Sequence, residues 1–210
     1  MFRPKKLLAT TSLAALLIAQ SAFADDNSVY VIQPGNFANA YVTQSGEHNE
    51  VSITQVGDYD IADVNQSGDH GTATISQSGT SVEAHLIQEG SYDSSEITQS
   101  GSYNEAWVTQ TGDNDASFIT QSGLSNIASV TQSGNDNLSL ITQSGSSNNA
   151  EVIQSGNSNQ SSITQTGNNS TALVNQSGNG NASTIVQEGN ANFVSVTQSG
   201  NGASFSIHQN

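Results

Sequence analysis

A chain of 210 residues with 18 acidic side chains, three Lys or Arg and no Cys leaves several function classes out from the start. Disulfides cannot hold it, and with all three basic residues among the first six, the remainder offers no basic surface for nucleic acid. Only 33% of residues are hydrophobic, a composition that usually suggests disorder, so any order must come from a regular pattern.

The first element in chain order is a targeting segment. Arg3, Lys5 and Lys6 precede an apolar run from Leu7 to Ala19, and Ala22-Phe23-Ala24 follows as an A-x-A site. This predicts a secretory signal over residues 1–24, cleaved between Ala24 and Asp25. The apolar run is short for a bilayer crossing and no second one follows, so no membrane span is expected in the mature chain. Residues 25–32 form a short N-terminal segment before the pattern changes.

From there a Gln recurs every eleven residues without a slip: Gln33, Gln44, Gln55, Gln66, Gln77, Gln88, Gln99, Gln110, Gln121, Gln132, Gln143, Gln154, Gln165, Gln176, Gln187, Gln198 and Gln209. A Gly stands two residues after each of the first sixteen, and from Gln44 onward an aliphatic residue stands two before. Residues 33–210 are therefore an array of one supersecondary unit. With Gln at position 0, positions +5, +7, +9, the next Gln and its Gly alternate as in a half-buried strand. Positions +3 and +4, filled largely by Asn, Asp, Ser, Gly and Glu, read as a turn. Each unit is one strand and one corner.

Successive units differ in a regular way. At +9 one set carries Val42, Val64, Leu86 and Val108 and the other Ile53, Ile75, Ile97 and Ile119; at +7 the first set keeps Ala from Ala40 to Ala172, while the second settles into Ser95, Ser117, Ser139, Ser161 and Ser183. The true period is 22 residues. The predicted fold is all-β: a two-sheet β-solenoid of about eight 22-residue coils, each made of two 11-residue strand-turn units, with an Ala-Val column packed on a Ser-Ile column. Eight coils at about 4.8 Å would stand about 38 Å tall.

Stacking explains the buried Gln. A lone amide in a dry core is costly, but Gln side chains one coil apart can bond one another along the stack, as in cross-β ladders. A second, Asn ladder is expected at +5, through Asn49, Asn104, Asn126, Asn137, Asn148, Asn159, Asn181 and Asn192. The Gly at +2 serves either a positive φ or a close approach of neighbouring coils.

The motif Q-x-G-x-x-N-x-A-x-[VI]-x-Q, complete in Gln143, Gly145, Asn148, Ala150, Val152 and Gln154, resembles the curlin repeat of bacterial curli, the extracellular amyloid fibres of biofilm. The resemblance covers Gln33 to Gln209. It implies a secreted subunit, unfolded in transit, that folds as a β-solenoid onto a growing fibre of its own kind. It also implies an outer-membrane secretion pore with an accessory factor, and a nucleator subunit at the cell surface. The Gly-rich segment that such subunits usually present to the pore is absent between Asp25 and Ile32. The Asn or Asp at most +5 positions is closer to the nucleating subunit, yet the basic terminal repeat of that subunit is missing. The major fibre subunit is the favoured reading, with the nucleator as alternative.

Other features give weaker leads. No His-acid-nucleophile set recurs, so no catalytic residue, cofactor or metal site is expected; His48 and His70, one coil apart, read as a corner ladder continued by Tyr92. Thr at +10 and Ser at +1 keep open an ice-binding or adhesive solenoid that stays monomeric. Against this, the C-terminal Ser206-Ile207-His208-Gln209-Asn210 lies inside the repeat with no capping element, an edge able to accept another copy.

Overall fold

In a computed structural model, residues 26–210 of the protein are described in full, together with the backbone of Lys6–Thr11 and Leu16–Ser21. The Ala24–Asp25 junction lies outside the described residues. In chain order the strands are β1 (Lys6–Thr11), β2 (Leu16–Ser21), β3 (Ser28–Gln33), β4 (Asn39–Gln44), β5 (Glu50–Gln55), β6 (Ile61–Gln66), β7 (Thr72–Gln77), β8 (Glu83–Gln88), β9 (Ser94–Gln99) and β10 (Glu105–Gln110). They continue as β11 (Ala116–Leu124), β12 (Ile127–Ser133), β13 (Leu138–Ser146), β14 (Asn149–Ser155), β15 (Gln160–Gln165), β16 (Thr171–Ser177), β17 (Ala182–Gln187), β18 (Phe193–Ser199) and β19 (Ser204–Gln209).

Odd strands form one sheet, in the order β1-β3-β5 to β19, and even strands form the other, from β18 to β2. Every pairing is parallel, and from β3 onward partners sit 22 residues apart, as in Ile97↔Ile119↔Ile141 and Val108↔Val130↔Val152. The result is a two-sheet β-solenoid. The 22-residue alternation places Ala and Val in the even sheet and, over most coils, Ser and Ile in the odd one. Parallel strands joined by corners, with no hairpin among the described residues, follow from a unit that always turns in the same sense.

Strand faces alternate as the period-two pattern requires. In β10, Ala106, Val108 and Gln110 are buried while Trp107 faces out; in β11, Ser117, Ile119 and Gln121 are buried and Phe118 is turned outward. The apolar core is one narrow continuous column from Val31 to Val196. Each coil adds a Val or Leu and an Ile, and burying each such side chain contributes about 1.5–3 kcal/mol. A one-residue slip would move all of it into water.

The corners are built differently from the expectation. Both readings of the +2 glycine hold, at different places. A Cβ on Gly112, whose φ is not positive, would lie 1.4 Å from the Gly134 carbonyl oxygen of the next coil. Gly134 combines a φ of +110° with close packing, since a Cβ added there would lie 2.1 Å from the Gly156 oxygen. The constant positive φ falls instead at +4, mostly on residues other than Gly: Phe37 (57°), His48 (58°), Tyr59 (61°), Tyr92 (62°) and Tyr103 (56°) among them. Left-handed backbone costs L-residues about 1–2 kcal/mol. It is held here by bonds between coils, in which the +4 amide donates to the +3 carbonyl one coil earlier, as Tyr59 N–H does to Asn36 O at 2.9 Å.

Candidate functional site

The glutamines occupy the inner face of both sheets at the end of each strand, where the chain is about to bend. In the odd sheet Gln99 Nε2 donates to Gln121 Oε1 at 2.9 Å, Gln121 to Gln143 at 2.9 Å and Gln143 to Gln165 at 2.9 Å; in the even sheet Gln110 donates to Gln132 at 3.0 Å and Gln132 to Gln154 at 2.9 Å. The same bond links Gln33, Gln55, Gln77 and Gln99, and Gln165, Gln187 and Gln209, in the first sheet. It links Gln44, Gln66, Gln88 and Gln110, and Gln154, Gln176 and Gln198, in the second.

The second proton of most of these amides has a role that period alone does not reveal. It crosses the core to a carbonyl at the start of the facing strand: Gln99 to Glu83 O at 2.8 Å, Gln121 to Glu105 O at 2.9 Å, Gln132 to Ala116 O at 3.0 Å. Each such Gln therefore ties coil to coil and sheet to sheet. Its two donors and its acceptor are all engaged, which removes the cost of burying it.

The +5 asparagines form a ladder of another kind. Asn126 Oδ1 accepts from the Asn148 backbone N–H at 3.0 Å, and Asn126 Nδ2 donates to Gly145 O at 3.1 Å and Ser122 O at 3.0 Å. Asn49, Asn104, Asn137, Asn148, Asn159 and Asn181 likewise bond the next coil through backbone groups. Direct amide-to-amide contact occurs at Asn159 Nδ2 to Asn137 Oδ1, 3.2 Å. The side chain is one methylene shorter than Gln and meets the polypeptide before it meets its neighbour. Asn192 breaks the series: its Nδ2 is buried without a partner.

A further ladder, not anticipated, runs along the exposed +3 positions. Asn135 N–H donates to Asn157 Oδ1 at 3.0 Å, Asn157 N–H to Asn179 Oδ1 at 2.9 Å and Asn179 N–H to Asn201 Oδ1 at 2.9 Å; Asp58 and Asp69 accept in the same way from Asn36 and Glu47. The enrichment of Asn and Asp at +3 was the available signal, there read only as turn chemistry.

Where Asp replaces Asn at +5, the corner is less settled. Asp60, Asp93 and Asp115 are buried, and burial pushes each carboxyl up to about 6 against the partial relief of backbone amides. In each, Oδ1 accepts from the next coil but Oδ2 has no hydrogen bond.

Outward residues make short stacks. Phe37 lies on Tyr59 with centroids 5.0 Å apart, His48 on His70 at 4.7 Å and His70 on Tyr92 at 4.6 Å. The imidazoles of His48 and His70 lie face to face along the corner. Trp107 stacks on His85 at 4.0 Å.

The two ends of the described stack differ. At ladder positions opposite Gln33 and Gln44, β1 and β2 place Thr11 and Ser21, and β2 pairs with β4 at an offset of 23 residues rather than 22 (Leu16↔Asn39). Gln33 Oε1 is buried and without a donor. At the other end, Phe205 of β19 is 41% exposed, whereas Ser183 in the same column of β17 is 3% exposed. Between β18 and β19 opens a notch of about 490 Å³, lined by Val196, Gln198, Ala203 and Phe205 among others.

Comparison with protein-family models gives eight matches to one family, described as the curlin associated repeat, at residues 24–57, 46–79, 79–112, 94–123, 104–134, 113–145, 134–167 and 167–200. A comparison with curated proteins found no match.

Proposed function

The chain belongs to the curlin associated repeat family, a family of structural subunits, and on that premise we propose that it is exported and polymerises end to end into an extracellular curli-like amyloid fibre. In this reading residues 1–24 are removed on export, the mature chain is the major fibre subunit, and the fibre serves biofilm matrix and surface adhesion. A cell-surface nucleator subunit and an outer-membrane pore with its accessory factor are the partners. No helix among the described residues is long and apolar enough to cross a membrane.

The observation that carries the reading is Gln33 Oε1. Along the odd sheet each Gln from Gln55 to Gln209 accepts from the Gln one coil before it; among the described residues of that ladder Gln33 alone is an acceptor in waiting. The ladder has chemical polarity, with acceptors facing the N-terminal coils and donors facing the C-terminal ones. Loss of β1 and β2 on signal cleavage would bare β3 and β4, and the edge of β18 and β19 presents the complementary donors. Two copies joined head to tail continue both sheets and both ladders, which is the assembly that leaves fewest buried polar groups unmet.

The test is seeding. Purified residues 25–210 should form thioflavin-positive fibres after a lag, and fragments of those fibres should abolish the lag. A monomer that stays soluble for days with seeds present contradicts the reading; thermal hysteresis in that monomer would point instead to an ice-binding solenoid.

A further inference from the structure

The corners come in two backbone forms, which in most units follow the residue at +5. Where Asn stands there, at Asn49, Asn104, Asn126, Asn137, Asn148, Asn159 and Asn181, the Gly three residues earlier has φ between +92° and +110°. In that form the carbonyl before the Gly turns inward and in most cases accepts the Asn amide, as Ser100 O does from Asn104 at 2.7 Å and Ser122 O from Asn126 at 3.0 Å. Where Asp stands, at Asp60, Asp93 and Asp115, the corresponding Gly57, Gly90 and Gly112 are not in the left-handed region. At Asp60 and Asp93 the Gly N–H side of that peptide faces the carboxylate and favours its charge, although the alignment falls short of a hydrogen bond. Two corners depart from this pattern: Gly189 is not left-handed although Asn192 follows it, and there the Asn amide is left without a partner, while Gly200 has a φ of +106° ahead of Ala203.

We propose that the three Asp corners are proton-operated: ionised, each holds its corner in the N–H-inward form with Oδ2 unmet, and on taking up a proton at Oδ2 each becomes a donor like the Asn amide, turning the Gly peptide over and locking its coil to the next. The atoms balance with one solvent proton per corner, and no bond breaks. Gly at +2 is what allows the peptide to turn.

The surroundings favour the neutral acid. Asp58 faces Asp60 from its own corner, Asp115 and Asp113 face Asp93 from the coil above, and Asp113 and Asp136 face Asp115. The His70 imidazole, at the position before Gly71 one coil from Asp93, stacks on Tyr92, and no Lys or Arg follows Lys6 in the chain. The sign follows from the carboxyl being raised from 3.8 to about 6. Its contribution to order is complete below about 3.8 and is lost as pH rises through about 6, by up to about a hundredfold in the equilibrium constant per corner. The coils from β6 to β12 would then order faster and hold better in mildly acidic surroundings than in neutral ones.

The experiment compares residues 25–210 with D60N/D93N/D115N and, as a control of equal charge change, D63N/E96Q/E151Q. Strand circular dichroism is followed against urea at pH 4.5 and 7.5, with labelled Gly57, Gly90 and Gly112 read by NMR. The first readout reports order within chains whether or not they polymerise, so its failure is distinct from failure of the fibre reading. The unmodified protein and the control should gain stability on acidification. The triple Asn variant should already be as stable at pH 7.5 as the unmodified protein is at pH 4.5, with its pH response largely gone. The three glycines should shift towards left-handed values in acid. The proposal is overturned if the Asn variant keeps the full pH response, if it is less ordered than the unmodified protein at pH 7.5, or if the glycine shifts do not move.

Discussion

The Gln121 amide donates one proton to Gln143 Oε1 in the next coil, at 2.9 Å, and the other to carbonyls of its own coil, Glu105 O at 2.9 Å and Asn126 O at 3.1 Å. A side chain so placed does not pack a core; it wires one. Replacing Gln121 by Ala strands the donor of Gln99 and the acceptor of Gln143, and opens a cavity. At about 1–3 kcal/mol for an unmet buried group, a loss of about 3 kcal/mol or more is expected. Gln121→Leu should cost nearly as much despite filling the space, because the stranded groups remain. Urea midpoints of the two variants measure this; a Leu variant as stable as the parent would show that packing, not wiring, matters.

The inner serines predict the opposite outcome. Ser117, Ser139 and Ser161 are buried with Oγ unpartnered. Each Ser→Ala change removes a desolvated hydroxyl and keeps the shape, as the facing Ala column shows to be tolerable. A gain of up to about 1 kcal/mol per site is expected, read as a higher denaturation midpoint. Loss of stability would mean that these hydroxyls are satisfied.

Glycines separate by the space around them. Gly112→Ala should prevent ordering of its coil, since the new Cβ meets the Gly134 oxygen at 1.4 Å. Gly180→Ala, at a +4 corner with φ of +65° and open space around it, should cost only about 1–2 kcal/mol. Hydrogen exchange over the neighbouring coils distinguishes the two; equal effects would contradict the close approach.

Tyr103 carries a left-handed φ of 56° and is 62% exposed. Asn accepts that conformation far more readily than an aromatic residue. Tyr103→Asn is therefore expected to raise the thermal midpoint, by about 1 kcal/mol of stability. A lower midpoint would show that the ring stabilises the corner by contacts outweighing its strain.

Much of this molecule was legible in advance because its information is periodic. Strict alternation around Gln, Ile and Val marks every strand from β4 to β19, and the 22-residue alternation of Ala-Val with Ser-Ile assigns strands to sheets. What escaped is local. Phe37, Tyr59 and His48 sit in left-handed backbone that such residues seldom choose, so composition pointed to the neighbouring Gly instead. The inter-coil amide bonds that hold those residues are backbone bonds and leave no trace in side-chain pattern. The +5 asparagines bond mainly backbone groups of the next coil, a matter of side-chain reach. The two peptide forms go with a one-atom change of side chain, Asn126 behind a left-handed Gly123 and Asp93 behind a Gly90 that is not, and the repeat pattern carries the same Gly in both.

The central claim is that parallel in-register coils continue from one copy to the next, and fibre X-ray diffraction of aligned, assembled residues 25–210 tests it most directly. The account predicts a sharp meridional reflection near about 4.8 Å from the coil rise and an equatorial one near about 10 Å from the two facing sheets. Failure to form aligned fibres, or fibres lacking the meridional reflection, would contradict it.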